Sequence, residues 1–474
     1  MGEIIEFKPR PMKARLAGGQ SARRLRSWVP PLEHVNQAIR NGGETLLRRC
    51  RELETSNAYA ARAARAWAGY AVRDGIRPTF QGPAAVQRRV RDAWSGFVEC
   101  CDFDGCDTLW GIQELVAREA YVGGEAFIVK ASSDEPLGLS LKIYQSEQLP
   151  LGRTVLDGAS GNEVRDGIEF DETGRRAAYH FYTSHPGDQQ MLRAAIAGQT
   201  MRVPAEDVIH VYQRQNAGQI RGLSRFAAGM IRLHLLDGYD DAELDRQRVA
   251  AMFAAFITRP DDGDDGPMDG LAQSTTGMAA TENTSADTGG VPIDLVPGLV
   301  QELEPGESID FSDPPQLQGQ YEAFQYRNLL AVSAAFGVPY HVLTGDVEKA
   351  NYSSARTAQL DFRVEIGRFQ QRCLIAQMAR GIRRWFLEAA TGTGLLLPRD
   401  AQPAWTWNVP AWAWVDPKAE AEASVLEVNN GFTSRRRVVE SRGHALEEID
   451  EEIAADGFTP SEQGKDPPDD QDPT

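Results

Sequence analysis

Between Pro31 and Trp110 the apolar positions recur mostly at helical spacing. The run Asn41-Gly42-Gly43-Glu44 predicts a break, with a longer helix, rich in Ala, Arg and Leu, from Thr45 onward. That helix is expected to end before Asp74-Gly75, where glycine can adopt the left-handed cap. Trp110 to Ala120 predicts another short helix. The character then changes. Glu125 to Lys130, Leu139 to Tyr144, Arg176 to Tyr182 and Val208 to Tyr212 read as strands, the last setting Val208, His210 and Tyr212 against Ile209 and Val211. The first ~200 residues are therefore expected to be α+β.

A 33-residue helical stretch follows, Arg225 to Ile257, with Ser224 placed to cap it. It would span roughly 50 Å at 1.5 Å per residue. Its middle, Asp237 to Arg246, is acidic, and its end holds Met252, Phe253, Phe256 and Ile257. No globular core needs so long a helix with so polar a middle. Residues 261–290 contain seven acids, six glycines and no Lys, Arg or aromatic residue, so they predict a mobile insert unable to bury a core. Leu295 to Leu303 and Ser308 to Phe311 predict two short strands joined by the turn Glu304-Pro305-Gly306-Glu307. Helical pattern returns from Tyr321 to Phe336. Gly337 to Asp346 reads as a loop by its glycines and proline. Asn351 to Arg356 then caps a long helix running to about Ala390, with Leu360, Val364, Leu374, Met378, Ile382 and Trp385 as its apolar stripe. Beyond it lie Trp405, Trp407, Trp412 and Trp414, then a charged helical region from Pro417.

At 474 residues the chain is too long for one ordinary core. No apolar run reaches the ~18 residues of a membrane helix, and the basic N-terminus lacks the apolar stretch of a secretory signal, so an intracellular chain without membrane partners is expected. Five cysteines, odd in number and unevenly spread, fit a reducing compartment rather than a disulfide scaffold. The net charge of −18 argues against general DNA wrapping. It is uneven: residues 1–51 hold eleven Lys/Arg against four acids, whereas 447–474 hold eleven acids against Lys465 alone. Both ends are expected to be solvated.

Catalytic chemistry is not visible. There is no phosphate loop, H-E-x-x-H, C-x-x-C or G-x-S-x-G motif. Cys100, Cys101 and Cys106 cluster without a nearby histidine, and Asp261 to Gly266 fails as a calcium loop because Gly263 and Ala272 stand at ligand positions. His210 reads as a half-buried core residue, and the C-terminal tryptophans as packing rather than base-stacking groups. No catalytic residue, cofactor or metal is expected.

The order of segments carries more. With Gly337-Val338-Pro339, Gly345-Asp346 and Asn351 to Arg356, the chain resembles the portal proteins of tailed bacteriophages, lambda family. Gly218 to Ser224, Asp241 to Leu244, Phe253 to Ile257, Leu303 to Glu307, Trp414 to Lys418 and Gly431 to Arg435 resemble it in the same order, over about Ser27 to Asp456. The resemblance implies a portal-type α+β fold. Residues 1–26 would be a basic arm, 27–221 the wing, 222–258 and 313–336 two stem helices, and 259–312 the clip. The tunnel loop would be 337–352, the long wing helix 353–390, the crown 391–456 and an acidic tail 457–474.

It also implies a non-enzymatic ring of twelve subunits at one capsid vertex, passing double-stranded DNA in packaging and ejection. The partners implied are the large terminase, major capsid and scaffold proteins, and a head-completion or adaptor protein. The place implied is the virion, with the host cytoplasm during assembly. Gly337, Gly345, Asp346, Glu348, Lys349 and Asn351 would face DNA, with Ser353, Ser354 and Arg356 anchoring the following helix. The competing expectation is a DNA-processing phage enzyme using the basic N-terminal arm.

Overall fold

The computed structural model describes residues 27, 29–152, 154–156, 160–188, 199–252, 256–258, 308–310, 318–348, 352–398, 404–412, 417–444 and 446–457. The predicted insert 261–290, the first predicted clip strand, the basic arm 1–26 and residues 458–474 lie outside them. The chain divides into two compact units, Met1–Ala227 with Phe336–Thr474, and Ala228–Ala335.

The larger unit opens with α1 (Val35–Ser56) and α2 (Ala58–Val72). Contrary to the sequence expectation, α1 runs straight through Gly42-Gly43. A Cβ at Gly43 would meet the Leu151 side chain at 3.0 Å, so this glycine serves a close approach rather than a break. The break falls at Asn57, whose Oδ1 accepts from the N–H groups of Tyr59 and Ala60 and starts α2. Helix α2 buries Ala60, Ala63, Ala64, Trp67, Ala68 and Ala71, and the small residues let α4 pack closely on it.

Next come β1 (Arg77–Phe80), α3 (Ala84–Cys100), α4 (Leu109–Val122), β2 (Glu125–Ala131) and β3 (Ser140–Gln145). Then follow β4 (Thr154–Leu156), β5 (Glu163–Arg165), β6 (Ile168–Phe170), β7 (Arg176–Tyr182), β8 (Thr200–Pro204) and β9 (Val208–Tyr212). Strands β4 to β8 form an antiparallel meander, and β3-β2-β9 a separate antiparallel sheet. Phe127, Tyr144, Ile168, Tyr179, Phe181 and Val208 share the core that joins them. In this unit sequence periodicity finds β2, β3, β7 and β9 but misses β8 and the three-residue β4, β5 and β6, which are too short to show an alternation.

The smaller unit holds α5 (Met230–Met252), β10 (Phe256–Thr258), β11 (Ser308–Asp310) and most of α6 (Gln318–Phe336). The expected helix over Arg225 to Ile257 is corrected at both ends: Arg225–Ala228 is a 3-10 turn, and Phe256 and Ile257 lie in β10, which pairs antiparallel with β11. The β-branched and aromatic residues at the end of the stretch favour the strand. Helices α5 and α6 meet where Asp240 accepts from Tyr321 Oη at 2.9 Å and Gln325 Nε2 at 2.8 Å, with Tyr239 packed on Phe324 at 4.9 Å.

Back in the larger unit are α7 (Tyr340–Thr344), α8 (Tyr352–Phe369), a π-helical stretch Gln370–Ala379, α9 (Arg380–Gly392), β12 (Trp405–Asn408), α10 (Pro417–Asn429), α11 (Arg435–Ser441) and α12 (Leu446–Ala455). Leu360 and Val364, expected in the apolar stripe of the long helix, are half exposed; Phe362, Ile366 and Phe369 turn inward instead. Gln377 clamps β9, accepting from the Tyr212 N–H at 2.9 Å and donating to its carbonyl at 3.0 Å. Strand β12 pairs with β1 and sets Trp405 against Trp94 at 5.1 Å and Phe80 at 4.6 Å, while Trp412 stacks on Tyr70 at 5.5 Å. Trp405 and Trp412 are packing groups, as their apolar setting suggests, and Trp414 lies outside the described residues.

Candidate functional site

The chain leaves the larger unit after Ala227 and rejoins it at Phe336, and the residues on either side of that excursion form the candidate site. Before it, Gly222 packs so tightly that a Cβ would lie 2.2 Å from the Gly124 carbonyl oxygen. Only glycine permits two backbones to cross at that distance. Beside the crossing, Arg221 and Glu125 are each 1% exposed. Arg221 Nε donates to Glu125 Oε1 at 2.7 Å, and its Nη groups donate to the carbonyls of Asp166, Ser146 and Leu149 at 2.7, 3.2 and 3.2 Å.

Glu125 accepts further bonds from Ser146 Oγ at 2.8 Å, the Gly222 N–H at 2.6 Å and His210 Nε2 at 2.9 Å. Burial disfavours its charge, but Arg221 and His210 overcome that and hold its pKa far below the usual carboxylate range. His210 Nδ1 accepts from Arg176, which can only donate, so the imidazole is the neutral tautomer carrying its proton on Nε2. Burial and the neighbouring arginines lower the His210 pKa to about 4, against the pull of Glu125. A buried charge with every acceptor used is rigid, because moving it would expose an unpaired ion to a low dielectric.

Ser224 Oγ then accepts from the Phe226 N–H at 3.1 Å, capping the 3-10 turn. Arg225 lies over the Trp67 ring at 4.0 Å and donates to Glu365 on α8 at 2.9 Å. Phe226 meets Phe336 at 4.7 Å and Tyr121 at 5.4 Å, and the Tyr121 hydroxyl donates to the Phe336 carbonyl at 2.9 Å. The outgoing and returning strands of chain therefore touch around Trp67 and Tyr121.

On the return, Gly337 takes φ +68°, and a Cβ there would lie 3.1 Å from Arg225 Nη1. The stretch to Asp346, read from sequence as an open loop, instead holds α7. Pro339 starts this single turn, Gly345 caps it in the left-handed region, and Leu343 is fully buried. Helix α7 packs on α2, where Arg62 Nε donates to the Val342 carbonyl at 2.6 Å. What remains of the loop begins at Asp346, whose Oδ1 accepts from the Glu348 N–H at 2.9 Å, with Val347 exposed at the tip. Lys349 and Asn351 lie outside the described residues. Helix α8 starts at Tyr352, so Ser353 and Ser354 are in its first turn rather than at its cap, and Arg356 is exposed.

Gly337, Gly345, Asp346 and Glu348 are thus brought to one short segment, and the fold adds Arg62, Trp67, Tyr121, Glu125, Arg221 and Arg225. The signal for the added set was available in part: Gly123-Gly124-Glu125 before a strand and Arg221-Gly222 before a helix each put a charge beside glycine. Nothing in the sequence says that the two meet. Among the described residues no group of three or more His, Cys, Asp or Glu is placed to hold a metal ion. Burial pushes the thiol pKa of Cys101 up to about 12.

Comparison with known proteins is consistent in direction. Residues 21–370 match the family described as phage portal protein, lambda family. Portal protein B of Escherichia phage lambda is 25% identical over 91% of this chain and 86% of its own length. The portal protein of Escherichia phage N15 is 24% identical over 95% and 91%. The probable portal protein of Halomonas phage phiHAP-1 is 25% identical over 67% of this chain and spans 60% of that protein's length. Among solved structures, the neck of an empty GTA particle is 15% identical over 85% of this chain and 93% of that one, with a TM-score of 0.48.

Proposed function

Because the chain belongs to the lambda family of phage portal proteins, we propose that twelve copies close into a ring at one capsid vertex and pass double-stranded DNA through its channel. In this reading it is a structural subunit rather than a catalyst. It docks the large terminase during packaging, meets the major capsid and scaffold proteins during assembly, and receives a head-completion protein afterwards. It resides at the virion's portal vertex and, before that, in the host cytoplasm.

The family match over residues 21–370 carries the proposal. Physical features support it. Ile231 and Leu235 lie exposed one turn apart on the same face of α5, at 68% and 66%, aliphatic surface that a monomer gains nothing by displaying. A ring-closing contact between unlike faces of neighbouring copies would cover it. The net charge of −18 lowers affinity for phosphates, as a channel that must let any DNA slide requires. The acids Asp346 and Glu348 would keep the tunnel loop from gripping, with Lys349 or Asn351 free to touch the backbone.

Negative-stain imaging of the purified protein should show annular particles with a central hole, and light scattering a mass many times 52.2 kDa. A stable 52.2 kDa species at micromolar concentration and physiological salt would overturn the reading.

A further inference from the structure

A cleft of 620 Å³ opens in the larger unit between β9, the segment after it and the π-helical stretch. Its size is that of a small-molecule site. Arg176, Arg214 and Arg372 line it, with Gln213 and Gln377, and no carboxylate does. Among the described residues none of the three arginines is ion-paired. Arg176 is half buried and held by neutral groups only: the hydroxyls of Tyr179 and Tyr212 at 3.2 and 2.8 Å, His210 Nδ1 at 3.2 Å and the Ile220 carbonyl at 3.2 Å. Arg372 donates to the backbone carbonyl of Arg214 at 3.4 Å, which places the two exposed arginines side by side at the rim.

Elsewhere in the same unit, several buried or half-buried arginines have acids: Arg51 has Glu119 and Glu147, Arg221 has Glu125, and Arg40 has Asp166. Among the described residues half-buried Arg73 has only the Pro410 carbonyl and the Trp412 ring, but the cleft gathers three arginines around one space without a carboxylate. Guanidinium groups match phosphate oxygens in geometry and charge. Arg214 and Arg372 at the rim supply such forks, and Arg176, its Nη hydrogens already used, adds charge from the wall, a setting that suits a multiply charged anion better than a lone carboxylate.

We propose that this cleft binds a diphosphate group, carried by a nucleotide or as free pyrophosphate. The site uses residues that the channel reading does not, so the two stand or fall separately. Calorimetry on the full-length protein with pyrophosphate and with a nucleoside diphosphate, at matched ionic strength, tests it. Saturable one-site binding is expected for at least one, and the stronger of the two identifies the source. Arg214→Gln with Arg372→Gln should weaken it at least tenfold while leaving the particle size and thermal midpoint unchanged. Ala376→Glu, which places a carboxylate in the exposed wall of the cleft, should abolish it. Undetectable binding of both probes at millimolar concentration would overturn the proposal. So would affinity untouched by either variant, or tighter binding of an acidic peptide than of both probes.

Discussion

The chain crosses between its two units twice, and the crossings are built from different physics. The outgoing segment, 219–226, is fixed by buried charge. Arg221 and Glu125 share a site from which water is excluded, and Gly222 is pressed against Gly124. The returning segment, 336–348, holds no buried charge: it is fixed by the buried Phe336, Val338 and Leu343, by left-handed glycines at 337 and 345, by one arginine on one carbonyl, and by a side-chain cap at Asp346. The first arrangement is all-or-none, because any displacement strands an ion. The second strands no ion when it shifts. In a portal, that asymmetry would leave the outgoing connection rigid and put local freedom where the proposed tunnel loop begins.

The harshest way to break the contrast is Arg221→Ala. It leaves Glu125 buried and unpaired, so a loss of about 3–5 kcal/mol is expected. Thermal unfolding should show the midpoint fall steeply, with little assembled protein recovered; a midpoint within a degree or two of wild type would mean that the network is not rigid. Gly222→Ala should follow at about 1–3 kcal/mol, because its Cβ would meet backbone and no side chain can move aside.

Acid sharpens the same contrast without mutation. The His210 pKa is depressed from 6.5 to about 4, so the unfolded chain takes up that proton first and stability falls as pH drops through this window. Glu125, also depressed, adds a loss below its ordinary 4.5. Protonated His210 would aim an Nδ1–H at Arg176, so the fold resists rather than adapts. His210→Gln should remove the upper part of the window in denaturation curves taken from pH 7 to 4. An unchanged curve would show that the imidazole does not titrate with unfolding.

The returning segment should respond more weakly. Arg62→Ala removes the side-chain bond to the Val342 carbonyl of α7, about 1–2 kcal/mol. A denaturation midpoint lowered as far as by Arg221→Ala would erase the distinction between the crossings.

How much of this was legible follows the range of each force. Helices α4 and α6, the end of α2 and strands β7 and β9 are readable because periodicity and caps act within a few residues, whereas the break at Asn57 between α1 and α2 is not read. The π-helical stretch was not, since its register is set by Gln377 on β9 and by Gly381, where a Cβ would lie 2.5 Å from Ile209. Gly43 and Gly222 show the same limit: each looks like a breaker locally, and each is there for a neighbour far away in sequence. Arg221 sits in the Gly218 to Ser224 stretch that resembles the family, but its burial depends on carbonyls of 146, 149 and 166, which no local pattern announces. The family assignment succeeded where physics alone stopped, because segment order survives when each single motif is weak.

The gentlest perturbation is to the loop itself. Asp346 to Asn351 follow the cap at Gly345, and their described part holds no buried apolar side chain, so replacing them with a shorter glycine linker removes little packing. Ring yield and thermal midpoint should stay close to wild type, and Ser353→Ala, within a helical turn rather than at its cap, should cost well under the ~1 kcal/mol of a lost cap. DNA packaged per procapsid should nevertheless fall, because the loop's proposed work is contact with moving DNA and not subunit adhesion. Both quantities need measuring on the same variant. Normal packaging with the shortened loop would remove the tunnel-loop assignment. Lost rings would show that these six residues hold subunits together, making the returning crossing as structural as the outgoing one.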